Sequence, residues 1–361
     1  MIPDCPDVSH TVAALLHWMA SARRDLPWRQ RRDPYAVWVS EVMLQQTQAA
    51  TVVPYFERWL TRFPDVETLA AAPLDAVLKA WEGLGYYARG RNLHRAAQLI
   101  VARHGGQLPR DRAALRALPG IGRYTAGAIL SLAYGQPEPA LDGNVRRVLC
   151  RLCDVAEDPR QPAVEARLWE VAGALAAAAP PGRAGDLNEA LMELGALVCT
   201  PGVPACDACP LAEQCRARRR GVQAERPVRA ARPSTPHYDM TAAVIADTSG
   251  RLLIVRRPDA GLLGGLWGFP GGAAQPDEPL PAAVERNVRE QVGVAVAAGA
   301  RLARVKHAYT HFRITLHAFA CAWTGGAPAC ATCADARWVA AGELADYAFP
   351  ATDRKIAEQI A

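Results

Sequence analysis

A helical domain followed by a smaller α+β domain is the fold class that this sequence predicts, and three observations predict it. From residue 8 to about residue 200, apolar side chains recur at three- and four-residue spacing, as in Val12–Leu15–Leu16–Met19, Leu74–Val77–Leu78–Trp81 and Leu187–Leu191–Leu194–Val198. Pro64, Pro73, Gly105–Gly106 and Pro180–Pro181 punctuate these runs into separate helices. Next, 216–236 is rich in Arg, Pro and Ala, has no period, and reads as a linker. Beyond it the period changes. The stretches MTAAVIAD, GRLLIVRR, RITLHAFACAW and ARWVA read as strands, with one helix from Pro281 to Gln291 among them. The expected organisation is 1–215, all-α; 216–236, linker; and 237–361, α+β.

Composition narrows the class further. A chain of 361 residues suits two or three ordinary domains. No apolar run approaches the roughly 20 residues of a membrane span, and no signal-peptide core opens the chain, so a cytoplasmic protein without membrane contact is expected. The net charge of +5 is almost wholly arginine, since Lys79, Lys306 and Lys355 are the only lysines. Between 216 and 232, seven arginines face the single Glu225, which suits a solvated linker able to touch phosphate. Of ten cysteines, Cys5, Cys321, Cys150/Cys153 and Cys330/Cys333 read as buried or incidental thiols.

The other four stand apart. CTPGVPACDACPLAEQC sets Cys199, Cys206, Cys209 and Cys215 at C-x6-C-x2-C-x5-C. Four thiolates in one loop (199–215) repel one another unless a metal centre neutralises them. Zinc is the alternative, but structural zinc sites usually pair two C-x2-C knuckles and here there is one. Uneven four-thiolate spacing suits a [4Fe–4S] cubane. LPGIGRYTAGAIL reads as a glycine turn opening a helix, where Gly120 and Gly122 let backbone N–H groups approach an anion such as a DNA phosphate. ALDGNVRRVLCRL opens the next helix with Asp142 as its N-cap.

The cysteine spacing, the glycine turn and the aspartate that follows together resemble the endonuclease III superfamily of helix–hairpin–helix DNA glycosylases. VSEVMLQQTQAATVVPYFERW, with LPWR, WEGLGYYARGRNLH and LNEALMELGALVCT, further resembles adenine DNA glycosylases of the MutY type across almost all of the first 215 residues. The resemblance implies a [4Fe–4S] cluster and a monomer acting on double-stranded DNA that carries A opposite 8-oxoguanine or G. It also implies roles. Glu41 protonates adenine N7 and then helps activate water, and Asp142 stabilises the oxocarbenium ion, with Tyr124 and Asn144 near Asp142 and the sugar. Trp28, Arg29, Leu44 and Glu189 surround the extruded adenine. Gln46 and Tyr86 wedge the base stack, and Gly120, Gly122 and Arg123 meet the backbone. Bifunctional relatives carry a nucleophilic lysine where this chain has Tyr124, and a phenol cannot form an imine, so a monofunctional enzyme is expected.

The last motif is GGAAQPDEPLPAAVERNVREQVGV. Gly272, Glu278, Arg286, Val288, Glu290, Gly293 and Val294 fall on the Nudix box, whereas Asn287 and Gln291 replace two of its glutamates. Magnesium on phosphates demands several oxygen ligands with charge, so a Nudix-like domain without hydrolysis is expected. Its hairpin KHAYTHFRI falls where MutY-type proteins read 8-oxoguanine, giving Tyr309, Thr310 and His311 that role. Two other readings are an endonuclease III-like lyase on oxidised pyrimidines and a Nudix nucleotide pyrophosphatase. Tyr124 and the C-terminal domain count against the first, Asn287 and Gln291 against the second.

Overall fold

A computed structural model describes residues 7–228 and 235–360, so Cys5 and the linker segment 229–234 lie outside the described residues. The described chain forms two compact units, Met1–Ala71 with Arg95–Arg232, and Ala72–His94 with Pro233–Ala361. Its helices in order are α1 (Val8–Ala22), α2 (Pro27–Gln30), α3 (Pro34–Leu44), α4 (Ala49–Arg62), α5 (Val66–Ala71), α6 (Leu74–Trp81), α7 (Ala88–His104), α8 (Arg112–Arg116), α9 (Arg123–Leu132), α10 (Gly143–Leu152), α11 (Pro162–Ala178), α12 (Ala184–Leu197), α13 (Arg216–Arg219), α14 (Leu280–Val292) and α15 (Ala351–Ile360). The strands are β1 (His237–Ile245), β2 (Leu252–Arg256), β3 (Trp267–Gly268), β4 (Gly271–Ala273), β5 (Ala295–Ala308), β6 (Arg313–Gly325) and β7 (Asp335–Val339).

The first unit is helical. Leu15 from α1, Val145 and Leu149 from α10, Leu168 from α11, and Leu187, Leu191 and Leu194 from α12 share one core. Each such side chain stabilises the fold by about 2 kcal/mol on burial. Helix starts follow cap chemistry, as when Asp33 accepts the Ala36 N–H at 2.8 Å with Pro34 at the first helical position of α3. The start of the expected linker is structured. Ala217 of α13 is buried, and Asp154 binds both Arg220 and Arg226, at 2.7 and 2.8 Å. Those pairs supply the order that a stretch without apolar period could not announce.

The second unit holds a four-stranded sheet, β4-β1-β6-β5, and a three-stranded sheet, β3-β2-β7. β1 runs parallel to β6, and the other pairs are antiparallel. Alternation decides which core each residue joins. Leu252 and Ile254 join Trp267, Phe349 and Ile356, while Leu253 and Val255 join Val284, Val288 and Val292 of α14. The four-residue spacing of those valines puts them on one helix face, and Gly293, at φ 68°, ends α14 in the left-handed conformation that glycine accepts most easily.

Residues 72–94, which the sequence reading kept within the helical domain, pack in this unit. Glu82 accepts from Arg354 Nε at 2.8 Å and from the Phe349 N–H at 3.1 Å, and Arg91 donates to the Gly264 carbonyl at 2.6 Å. A disulfide joins Cys330 and Cys333, so these two are not the free thiols expected. No helix among the described residues is long and apolar enough to cross a membrane.

Candidate active site

A cavity of roughly 800 Å³ in the helical unit gathers most of the side chains singled out above. Trp28, Arg29, Glu41, Leu44, Gln46, Tyr124, Asp142, Asn144 and Glu189 all line it. Glu41 is not a surface carboxylate. It lies inside α3, where every residue from Tyr35 to Met43 is buried, and is itself 4% exposed. Tyr124, in the first turn of α9, donates its hydroxyl to Glu41 Oε2 at 2.6 Å. Burial drives the Glu41 carboxyl up to about 7; the charges of Asp142 and Glu189 push the same way, against the Tyr124 hydrogen bond and Arg29. Burial also raises Tyr124 well above the ordinary phenol, so it stays a neutral donor.

Asp142 caps α10, accepting the Val145 N–H at 2.7 Å through Oδ1 and the Asn144 amide at 3.0 Å through Oδ2. Burial raises its carboxyl, opposed by these hydrogen bonds. Asn144 in turn accepts from Arg147, which also donates to the Gly195 and Cys199 carbonyls. This approach requires a bare glycine on α12, because a Cβ at Gly195 would stand 2.7 Å from Asn144 Cβ.

One residue in the cavity escaped the sequence reading. Glu193, on α12 and fully buried, accepts from Arg24 Nε and Nη2 at 2.8 Å each, and from Arg29 Nη1 and Nη2 at 3.2 and 2.8 Å. Glu189, one turn earlier, sees Arg29 Nε at 3.7 Å and Arg23 at 3.3 Å. Burial raises Glu189, whereas Glu193, despite its burial, is held down to about 2 by its arginines.

The remaining candidates lie outside this cavity. Gly122 caps α9 without a side-chain partner, Gly120 has φ 78°, and Arg123 sets its guanidinium over the Trp169 ring at 4.1 Å. Gln46, on the cavity wall, and Tyr86, outside it, both have positive φ, at 57° and 46°, a strained backbone that clusters at functional sites. In the second unit the Tyr86 hydroxyl meets Thr310 Oγ1 at 2.6 Å. Thr310 and His311 are exposed at the β5–β6 turn, while the Tyr309 ring packs against Phe312 and His307, with centroids at 4.7 and 4.6 Å.

The cluster cysteines fit a thiolate-held group. Cys199, Cys209 and Cys215 pack on the helical core, and Arg151 donates to Cys199 Sγ at 3.3 Å. Burial pushes Cys209 up to about 11, and the other three thiols push it further, so the four feel one another. Among the described residues no three His, Cys, Asp or Glu side chains stand ready-made at metal spacing. Four soft donors on one loop, beside a guanidinium, are the donor set that an iron–sulfur centre takes.

The Nudix-box carboxylates are occupied internally. Arg286 holds Glu278 through Nε and Nη2 at 2.7 and 2.8 Å, and Glu290 through Nη1 at 3.0 Å. The two replaced positions stitch the fold instead. Asn287 donates to Thr241 Oγ1 and the Ala273 carbonyl, and Gln291 accepts the Gly271 N–H at 2.9 Å. An ionised glutamate could not make the donations of Asn287.

Residues 39–173 match the HhH-GPD superfamily of base excision DNA repair proteins, and residues 241–359 match the NUDIX domain. A solved thermostable thymine-DNA glycosylase superposes on 58% of this chain and 95% of its own, with a TM-score of 0.52 at 29% identity. Fold and site together therefore define a base-excision DNA glycosylase. Full-length relatives narrow this. The human adenine DNA glycosylase is 37% identical over 98% of this chain and 74% of its own length. That of Schizosaccharomyces pombe is 31% identical over 92% and 85%. The chain belongs to the adenine DNA glycosylase family.

Proposed function

We propose that the protein hydrolyses the N-glycosidic bond of adenine mispaired with 8-oxoguanine or G in double-stranded DNA, without strand cleavage. The observation that carries this reading is Glu41, buried in one cavity with Asp142 and holding Tyr124 as its hydrogen-bond donor, a setting whose burial pushes the carboxyl up to about 7. Protonation of adenine N7 by Glu41 turns a poor anionic leaving group into a neutral one. As the C1′–N9 bond lengthens, positive charge grows at C1′ and the O4′ ring oxygen, and the fixed Asp142 carboxylate stabilises it. Water then adds at C1′ and gives up its proton to the Glu41 carboxylate, which closes the cycle. The test is a gel assay. Adenine-containing duplexes should be cut only after alkali, and borohydride should trap no covalent complex; a stoichiometric trapped complex would contradict hydrolysis.

Cys199, Cys206, Cys209 and Cys215 would hold a [4Fe–4S] cluster, whose chemistry here is to pin the 199–215 loop. Anaerobically purified protein is expected to contain about four irons per chain. Cys206→Ser should weaken duplex binding, because the arginines carried beside the loop meet phosphate. Stoichiometric zinc without iron would contradict this assignment.

The Nudix-like unit reads the opposite base rather than hydrolysing nucleotides. Supporting this are the carboxylates spent on Arg286, the exposed Thr310 and His311, and the contact of Thr310 with the Tyr86 hydroxyl. Thr310→Ala with His311→Ala should lower the preference for 8-oxoguanine over G about tenfold, the worth of one or two hydrogen bonds. Cleavage of A opposite G should change little; equal loss on both duplexes would assign the hairpin to general binding.

A further inference from the structure

We propose that Glu193 is a positioning residue of the adenine pocket. It takes up both the Arg24 and the Arg29 guanidinium groups, fixing α2 against α12 so that the charge of Arg29 is spent on Glu193 rather than on Glu41. The inference rests on the reading of Glu41 as general acid.

The geometry is that of a clamp. The two Glu193 oxygens receive five N–H donors, namely the Arg24 backbone N–H, Arg24 Nε and Nη2, and Arg29 Nη1 and Nη2. α2 is only four residues long and has no side-chain cap, so it cannot hold its own orientation. Glu193 supplies that hold from across the cavity, and α2 carries Trp28 and Arg29 to the wall of the pocket. Arg29 is itself buried, with a side chain 8% exposed, so its charge must be answered locally.

Several charges and donors bear on Glu41. Tyr124 comes from α9, Asp142 from the start of α10, Glu189 from α12 and Arg29 from α2, while α4, packed against α3, buries Val52, Phe56 and Trp59. Arg29 is the one cation in that set, and it favours the ionised Glu41. With Glu193 in place, both Arg29 Nη groups donate to its carboxylate and Nε faces Glu189. A neutral glutamine offers one acceptor oxygen, and its NH2 group opposes the remaining N–H donors. One guanidinium is then left without its counter-charge. Arg29 would act on Glu41 and Glu189 in full, and Glu41 would lose its proton at lower pH.

The experiment is the pH profile of single-turnover adenine release from a duplex with A opposite 8-oxoguanine, for the parent protein, Glu193→Gln, Glu193→Asp and Arg24→Met. Glu193→Gln should bind the duplex as the parent does, with its alkaline limb displaced downward by about one pH unit. Its rate at pH 8 would then be about tenfold lower, while the rate at pH 5.5 changes less than about threefold. Glu193→Asp, which keeps the charge, should return the limb most of the way to its parental place. Arg24→Met removes a half-exposed cation, leaves the Arg29–Glu193 pair and keeps the fold. Its limb should stay or move upward. An unmoved limb in Glu193→Gln, with the rate lost equally at every pH, would assign Glu193 to the fold alone and overturn the proposal. A downward shift in Arg24→Met would overturn it too, even if Glu193→Gln does not fold. A parent protein with no alkaline limb would instead refute the role of Glu41, a separate outcome.

Discussion

Glu41→Gln is expected to lower the single-turnover rate of adenine release by about a thousandfold, the middle of the range for a positioned general acid. The glutamine keeps the shape in a position that is 4% exposed, so mismatch binding should survive. Stability supplies a second readout. Burial raises the folded-state value of Glu41 from 4.5 to about 7. Its favourable state is therefore the protonated one, fully present below the unfolded value and lost as pH rises through about 7. Above that pH the buried carboxylate costs on the order of 3 kcal/mol, some of which the glutamine recovers. Glu41→Gln should accordingly melt no lower than the parent at pH 8 while being inert. A variant that melts lower and loses binding along with rate would mean that Glu41 holds the fold rather than the proton. In the parent, the same titration should make the rate fall about tenfold per pH unit above the limb near 7.

Asp142→Asn is the second large effect, a loss of about a hundred- to a thousandfold in rate, as for removal of one preorganised electrostatic group. Asparagine caps helices as well as aspartate does, so α10 and the Val145 hydrogen bond should persist. Only the charge opposite the developing cation is removed. Circular dichroism and duplex affinity should match the parent; a rate within threefold of the parent would leave Asp142 as a cap alone.

How much of this was legible beforehand depended on the physics of each element. α1, α6 and α12 declared themselves because each buries one stripe, and β2 did because both its faces are buried. β5 did not. It is Ala- and Arg-rich, mostly exposed, and broken by bulges near Ala298, Arg301 and Ala303, so it shows neither alternation nor apolar density. The placement of 72–94 depends on the partners of Glu82 and Arg91, more than 170 residues away, which no local pattern encodes. At the site, motif resemblance named Glu41 and Asp142, and the fold supplied what the motif lacks, burial and the Tyr124 donor. Glu193 was missed, although a signal existed. Glu189 and Glu193 stand four apart on one helix, an arrangement of like charges that is unfavourable unless cations arrive from elsewhere. Arg24 and Arg29 are those cations, Arg29 within the LPWR motif and Arg24 two residues ahead of it.

Adenine release by this mechanism requires a proton delivered to N7. The most direct measurement places 7-deazaadenine, which lacks that nitrogen, opposite 8-oxoguanine and follows base release under single-turnover conditions. The duplex should bind as tightly as the adenine duplex and yield no free base over a time in which adenine is fully released. Release at a rate comparable to that of adenine would mean that Glu41 acts elsewhere and would contradict the mechanism.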